Sequence, residues 1–221
     1  MVVILVLVVV VLVVGYVFLN QNSSNMAKVN MPESPAPASI SSELENGTYT
    51  FQSSKSKIMW AGKKTLVAEW IDEGLINLST GSLVVENGGI SSGSVVVDMN
   101  TITAQKTGSG GGQDKLVAHL KSADFFDVAK FGNSVFNMSS IVKNGDMYQV
   151  TGDLTIKGKM EKITFPANIY MGDGKVFVEA EIVVDRSKFD VRFGSKSFFN
   201  DLGNNIIDDN FTLKMKLVGT K

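Results

Sequence analysis

The feature that most constrains the fold of this chain is an alternation of apolar and polar residues that recurs between Thr48 and the C-terminus. In the segment KVFVEAEIVV, residues 175–184, apolar residues stand at every second position. The segments YQVTGDLTIKG (148–158), KITFPANIY (162–170) and FTLKMKLV (211–218) repeat the pattern. A period of two places alternate side chains on opposite faces of a strand, so the pattern predicts strands with one buried and one wet face.

Turn sequences separate these segments and indicate how the strands connect. They are Asn87-Gly88-Gly89, Asn144-Gly145-Asp146, Lys157-Gly158-Lys159 and Gly172-Asp173-Gly174. Strands that are joined by such short turns pair antiparallel. Four further apolar runs bring the predicted number of strands to roughly eight: Thr48–Gln52, Ser56–Trp70, Gly74–Val85 and Ser92–Ile102. We expect an all-β, up-and-down antiparallel barrel, because closure removes exposed edges, with a two-sheet sandwich as the alternative.

One segment departs from the strand pattern. In GQDKLVAHLKSADFF, residues 112–126, Leu116 and Leu120 follow helical spacing. The segment predicts one short helix, inserted between strands, whose first turn Asp114 would cap.

The N-terminal segment Val2–Leu19 is apolar throughout apart from Gly15 and Tyr16. A helix of this length would span about 27 Å, close to the roughly 30 Å of a bilayer core. We therefore predict a transmembrane anchor or signal segment over residues 1–19. Residues 20–45 are rich in Ser, Asn, Pro and Ala, which is typical of a flexible linker. The globular domain would then occupy residues 46–221.

Composition excludes several classes of function. The 21 basic and 22 acidic residues are scattered, which argues against a nucleic-acid partner. The chain has no cysteine and a single histidine, His119, so no thiolate chemistry and no ordinary zinc site is expected. The Gly-rich segment Thr107–Lys115 lacks the residues of a phosphate-binding loop. The sequence therefore predicts a protein that is not an enzyme, with no metal and no cofactor.

Several motifs resemble one known family. HLKSADFFDVAKFGNSVFNMSSI (119–141) resembles the H-L-x-S-x-D-F-F-D-V signature of YceI-like, polyisoprenoid-binding proteins. YQVTGDLTIKGKMEKITFPANI (148–169) is similar to the hairpin that follows it in the family. KSKIMWAGKK, SGSVVVDMNTI and RSKFDVRFGS resemble further family segments and stand in the same order.

The resemblance implies a lipocalin-like barrel with an apolar tunnel that binds an isoprenoid chain, such as a quinone or polyprenyl tail, for storage or transport. It also implies an extracytoplasmic location, either periplasmic or at the cell surface. The barrel would be anchored to the membrane through the N-terminal helix, or secreted if that segment is cleaved. No enzymatic activity is established for the family. The sequence leaves a homodimer open.

Alternation and the resemblance together nominate residues that would line the tunnel and contact the lipid. These candidates are Ile58, Trp60, Val95, Val97, His119, Phe125, Phe126, Phe136, Leu154, Ile156, Phe165, Ile182, Val184, Leu213 and Met215.

Two other functions remain open from the sequence. The first is a barrel with a filled interior that serves as an envelope-stress or interaction module. The second, ranked last, is an enzyme that uses His119. The sequence does not distinguish an open interior from one filled by side chains.

Overall fold

A computed structural model of the protein describes residues 44–221. The predicted membrane or signal segment and all but the last two residues of the predicted linker lie outside this range. Over residues 44–221, no helix is long and apolar enough to cross a bilayer.

The described chain forms one antiparallel sheet of nine strands and one α-helix. The strands are β1 (Gly47–Phe51), β2 (Lys57–Lys63), β3 (Ile71–Glu86), β4 (Gly89–Lys106), β5 (Asn133–Asn144), β6 (Met147–Ile156), β7 (Lys159–Gly172), β8 (Lys175–Asp185) and β9 (Asn210–Thr220), and the helix is α1 (Gln113–Lys121). From β2 to β9 each strand pairs with its neighbours in sequence, and β9 pairs back with β2. The sheet is therefore a closed up-and-down barrel, and the sandwich alternative is wrong.

The nine strands fill eight positions around the barrel because β1 and β2 share one. Both lie between β3 and β9, one after the other. The five residues between them, Gln52–Ser56, leave the sheet in a turn in which the Ser56 amide donates to the Gln52 carbonyl. The interruption is bridged by the Val218 amide of β9, which donates to the Ser56 hydroxyl at 3.1 Å.

The predicted strands differ from the observed ones in two places. The run Ser56–Trp70 was expected to be one strand, but β2 ends at Lys63 and a turn follows it. Strand β5 was not predicted, because most of its side chains are exposed and show no clear alternation. The predicted count of eight strands therefore equals the eight barrel positions only because two errors cancel. Strand β5 was omitted, and the position that β1 and β2 share was counted twice.

The predicted turns lie where expected. At the β3–β4 turn both Asn87 and Gly88 have positive φ, of 53° and 74°. This conformation matches the right-handed twist of paired strands and accounts for the Asn-Gly sequence. The helix was also predicted correctly, but its cap was not. The residue that precedes α1 is Gly112, at a φ of 81°, and Asp114 lies within the first turn.

The two ends of the barrel are unlike. At the turn end, strands are joined by tight turns at residues 87–88, 145–146 and 173–174. At the loop end lie the segments 64–70, 107–132 and 186–209, of which the second contains α1. Every strand finds both lateral neighbours within residues 44–221, so this part of the chain contains a complete barrel with its own core.

Candidate functional site

The interior of the barrel is divided into a filled half and an open half. Near the turn end, side chains from the strands pack together with almost no exposed surface, among them Tyr49, Val85, Ala167, Val176 and Leu217. Near the loop end, the barrel encloses a cavity of about 200 Å³. The prediction left open whether the interior is open or filled, and the structure contains both arrangements.

The cavity is lined almost entirely by apolar side chains. Its walls come from all eight barrel positions, and α1 with the following segment covers its loop end. All fifteen predicted residues line this one cavity: Ile58, Trp60, Val95, Val97, His119, Phe125, Phe126, Phe136, Leu154, Ile156, Phe165, Ile182, Val184, Leu213 and Met215. Their contact with a lipid stays a prediction.

Sequence reasoning missed other lining residues for different reasons. Ile163 and Phe211 lie on the apolar faces of β7 and β9, so alternation alone could have nominated them. Met99 follows Val95 and Val97 at a spacing of two, so alternation could have nominated it as well, whereas Ile102 was hidden by an irregularity in β4. Four residues, 99–102, bulge between the β3 pairings of Asp98 and Thr103, which breaks the period of two.

The helix covers the cavity through one face. Leu116, His119 and Leu120 of α1 line the cavity, and Phe125 follows them on the same cover. The His119 ring meets two aromatic rings edge to face, with centroid distances of 5.8 Å to Phe125 and 4.3 Å to Phe193. The His119 ring therefore joins the helix to the 186–209 loop.

Arg186 fixes the loop end of the cavity and was not among the predicted site residues. Its side chain is 2% exposed and donates to four backbone carbonyls. These belong to Val191 at 2.8 Å, Phe193 at 2.9 Å, Asp208 at 3.0 Å and Ile207 at 3.1 Å. A planar guanidinium with five donors suits such a cluster of carbonyls. The RSKFDVRFGS segment therefore carries the arginine that closes the 186–209 loop on itself.

Electrostatics at this end balance one buried cation against acidic neighbours. Burial lowers the pKa of Arg186, and Asp209, Asp185 and Asp208 oppose that shift. The Asp209 carboxylate lies 3.4 Å from the guanidinium. Two further charged residues that line the cavity, Lys63 and Asp208, pair with each other at 3.5 Å.

A second group of residues with shifted pKa values lies on the outer wall of the barrel. The pKa of Glu179 is lowered by its hydrogen bond with Lys216, with burial opposing. The pKa of Tyr170 is raised by burial and by its hydrogen bond to Glu179. None of these three residues lines the cavity.

The arrangement suits binding of an apolar molecule. Within residues 44–221, no group of three His, Asp or Glu side chains is placed to hold a metal ion. The cavity wall offers hydrocarbon and aromatic surface with a few polar groups at one end, which is the usual composition of a small-molecule pocket.

Comparison with known proteins supports the same family as the motifs. The model of the YceI-like domain matches residues 49–219. Protein YceI of Salmonella arizonae is 43% identical over 56 residues, which cover 25% of this chain and 29% of that protein. Protein YceI of Salmonella newport matches over the same share. The aligned part thus spans under a third of these curated relatives.

Two solved structures share the fold. BcnA of Burkholderia cenocepacia aligns with a TM-score of 0.62 at 24% identity, over 77% of this chain and 99% of that one. A polyisoprenoid binding domain from Saccharophagus degradans, implicated in plant cell wall breakdown, aligns with a TM-score of 0.55 at 14% identity, over 78% and 97% of the two chains. The domain model covers most of this chain and agrees with the observed barrel, and the protein therefore belongs to the YceI-like family.

Proposed function

We propose that the barrel binds the tail of an isoprenoid lipid, such as a quinone or a polyprenyl compound, in its loop-end cavity. The observation that carries this proposal is the cavity itself, which is lined almost entirely by apolar side chains from all eight barrel positions. At about 200 Å³ it exceeds an engineered cavity of about 150 Å³ that binds benzene.

The division of the barrel limits how much of the lipid can enter. Tyr49 and Val176 belong to the packed core of the turn end, where both are fully buried. A tail that enters from the loop end therefore meets a closed floor. We propose that the cavity holds the terminal isoprene units and leaves the rest of a long tail outside.

The energetics favour a carrier over a permanent store. Each CH₂ removed from water contributes about 0.8 kcal/mol, but a bilayer offers a tail the same gain. Net preference for the barrel must come from fit to the cavity, so exchange with a membrane is expected. A barrel tethered to the membrane by the predicted segment 1–19, on the extracytoplasmic side, would carry out this exchange without exposing the tail to water.

The proposal is tested by the lipid that the protein carries. The full chain is expressed in a bacterial envelope, purified, extracted with organic solvent and analysed by mass spectrometry. We expect an isoprenoid in near-stoichiometric amount. A well-folded protein whose extract is empty, and which takes up no added isoprenoid, would contradict the proposal and favour a protein-interaction module.

A further inference from the structure

The loop end of the barrel carries an exposed aromatic surface whose function the cavity does not explain. Phe193, Phe198 and Phe199 are 44%, 39% and 48% exposed, and all three lie on the 186–209 loop. We call these three residues the phenylalanine patch. Three exposed aromatic side chains within seven residues of one loop exceed the scattered single apolar residues that are normal on a protein surface, and such a concentration usually marks an interaction surface.

The loop holds these rings outward rather than allowing them to fold into the core. Arg186 fixes the Phe193 carbonyl, and the amides of Phe198 and Phe199 both donate to the Ser195 carbonyl. Ser195 is itself fully buried. A backbone fixed on both sides of the rings presents them to solvent in a defined geometry.

The patch is continuous with the cavity. Phe193 contacts the ring of His119 at a centroid distance of 4.3 Å, and His119 lines the cavity. A partner that binds the patch would therefore also contact α1 and the segment after it, which cover the cavity. This position favours a partner from which a lipid can pass into the cavity.

The charges of the same segment point to the chemistry of that partner. Between residues 188 and 199 the exposed ionic side chains Lys188, Arg192 and Lys196 are basic; after this stretch the loop carries the exposed acid Asp201 and two acids that are paired, Asp208 with Lys63 and Asp209 with Arg186. The one acid in this stretch, Asp190, accepts a hydrogen bond from Arg192. Aromatic side chains accompanied by basic ones are typical of surfaces that insert into the headgroup region of anionic bilayers.

We infer that the phenylalanine patch docks the loop end of the barrel on a bilayer that contains anionic lipid, with Lys188, Arg192 and Lys196 against the headgroups. The docked surface places the cavity cover against the membrane from which the tail is drawn. The purpose of docking rests on the proposed function, whereas docking itself does not require an isoprenoid.

The absence of cysteine gives a direct test. Residues 44–221 contain the complete barrel, and circular dichroism with a cooperative melt checks each variant before use. Phe198→Cys, labelled with an environment-sensitive fluorophore, is mixed with vesicles of phosphatidylcholine containing one quarter phosphatidylglycerol and no isoprenoid. Asp146→Cys, at the opposite turn end, is the matched control. We expect a blue shift and at least about a twofold gain in emission at position 198 and none at position 146. Equal responses at the two positions, or none at 198, would overturn the inference.

A second pair of variants tests the patch without a label. Phe198→Ser with Phe199→Ser is compared with Val142→Ser with Met147→Ser, two residues near the turn end of the barrel that are 62% and 43% exposed. We expect the patch variant to lose at least about tenfold in vesicle partitioning, equivalent to about 1.4 kcal/mol, and the control to keep it. A blue shift at position 198 that needs no vesicles and grows with protein concentration would instead show a protein interface and overturn the inference. Because these vesicles carry no isoprenoid, failure here leaves the lipid extraction result unaffected.

Discussion

Trp60 of β2 lies directly opposite Gly74 of β3, and its indole ring crosses over the glycine. The indole N–H donates to the carbonyl of Thr103 on β4 at 3.0 Å. One side chain thus links three strands and forms part of the cavity wall. A Cβ built on Gly74 would lie 2.7 Å from two ring atoms of Trp60 and 1.7 Å from the Thr103 carbonyl oxygen, so only glycine fits there.

Gly74→Ala is expected to destabilise the barrel by about 2–4 kcal/mol, because the new methyl group must displace the indole and the β4 backbone. Urea unfolding followed by circular dichroism measures the change. Gly111→Ala is the matched control, since a Cβ at Gly111 meets no atom within 4 Å. Equal unfolding midpoints for the two variants would contradict the close contact between Trp60 and Gly74.

Val97→Phe is expected to reduce the isoprenoid that the protein retains while preserving its fold. The added ring enters the cavity rather than the packed half, so we expect a stability cost of no more than about 1 kcal/mol. Mass spectrometry of the extracted lipid measures retention. Val183→Phe, on the exposed face of β8, adds the same volume outside and should retain lipid as the parent protein does. Full retention by Val97→Phe would place the lipid elsewhere.

Arg186→Met is expected to destabilise the protein by at least about 3 kcal/mol. The substitution leaves four backbone carbonyls without their donor and Asp209 without its cation. Chemical denaturation measures the loss, and limited proteolysis should cut within residues 186–209 first. Arg192→Met removes an exposed arginine from the same loop and should change stability by about 0.5 kcal/mol or less. Resistance of the Arg186 variant to protease would show that the loop is held by other contacts.

Protonation of Glu179 should make the barrel less stable in acid. Its pKa is lowered in the folded protein from 4.5, chiefly by the hydrogen bond with Lys216. A lowered carboxyl pKa contributes stability above pH 4.5, and this contribution is lost as the pH falls through the folded value. Glu179→Gln should therefore flatten the dependence of the urea midpoint on pH below about pH 4.5. Glu181→Gln, whose carboxylate pairs with Lys214 on an exposed surface, is the control. Parallel pH profiles for the parent and Glu179→Gln would show that the Glu179–Lys216 ion pair does not cause the loss of stability in acid.

The sequence predicted the barrel well where one face of a strand is buried. The alternation in β6 to β9 and the glycine turns between them were sufficient, because burial and turn geometry each leave a residue-level pattern. Strand β5 was not predicted because few of its side chains are shielded from solvent, so its sequence shows no clear alternation. The break at Gln52–Ser56 was predicted, since the runs Thr48–Gln52 and Ser56–Trp70 are separate. That both strands share one barrel position was not, because it depends on β3 and β9, which pair with each of them in turn.

The walls of the cavity were predictable for the same reason, but its extent was not. Ile58 and Tyr49 both point into the barrel, and alternation treats them alike. Ile58 lines the cavity, whereas Tyr49 belongs to the filled half. This difference depends on how side chains from strands that are distant in sequence pack together. The same limit applies to Arg186, because its four carbonyl partners are brought together only by the folded loop.

We propose that an isoprenoid tail enters the loop-end cavity and stops at the filled half of the barrel. Trp60 lines the cavity, and Trp70 is the only other tryptophan, so Trp70→Phe leaves one fluorophore in the site. Quinones quench tryptophan, and a series with tails of increasing length is titrated against this variant. We expect saturable quenching, with an affinity that rises over the first isoprene units and then levels off, and we expect Val97→Phe to weaken the binding. Quenching that is not saturable, or that is equal for a tailless quinone, would contradict the proposal.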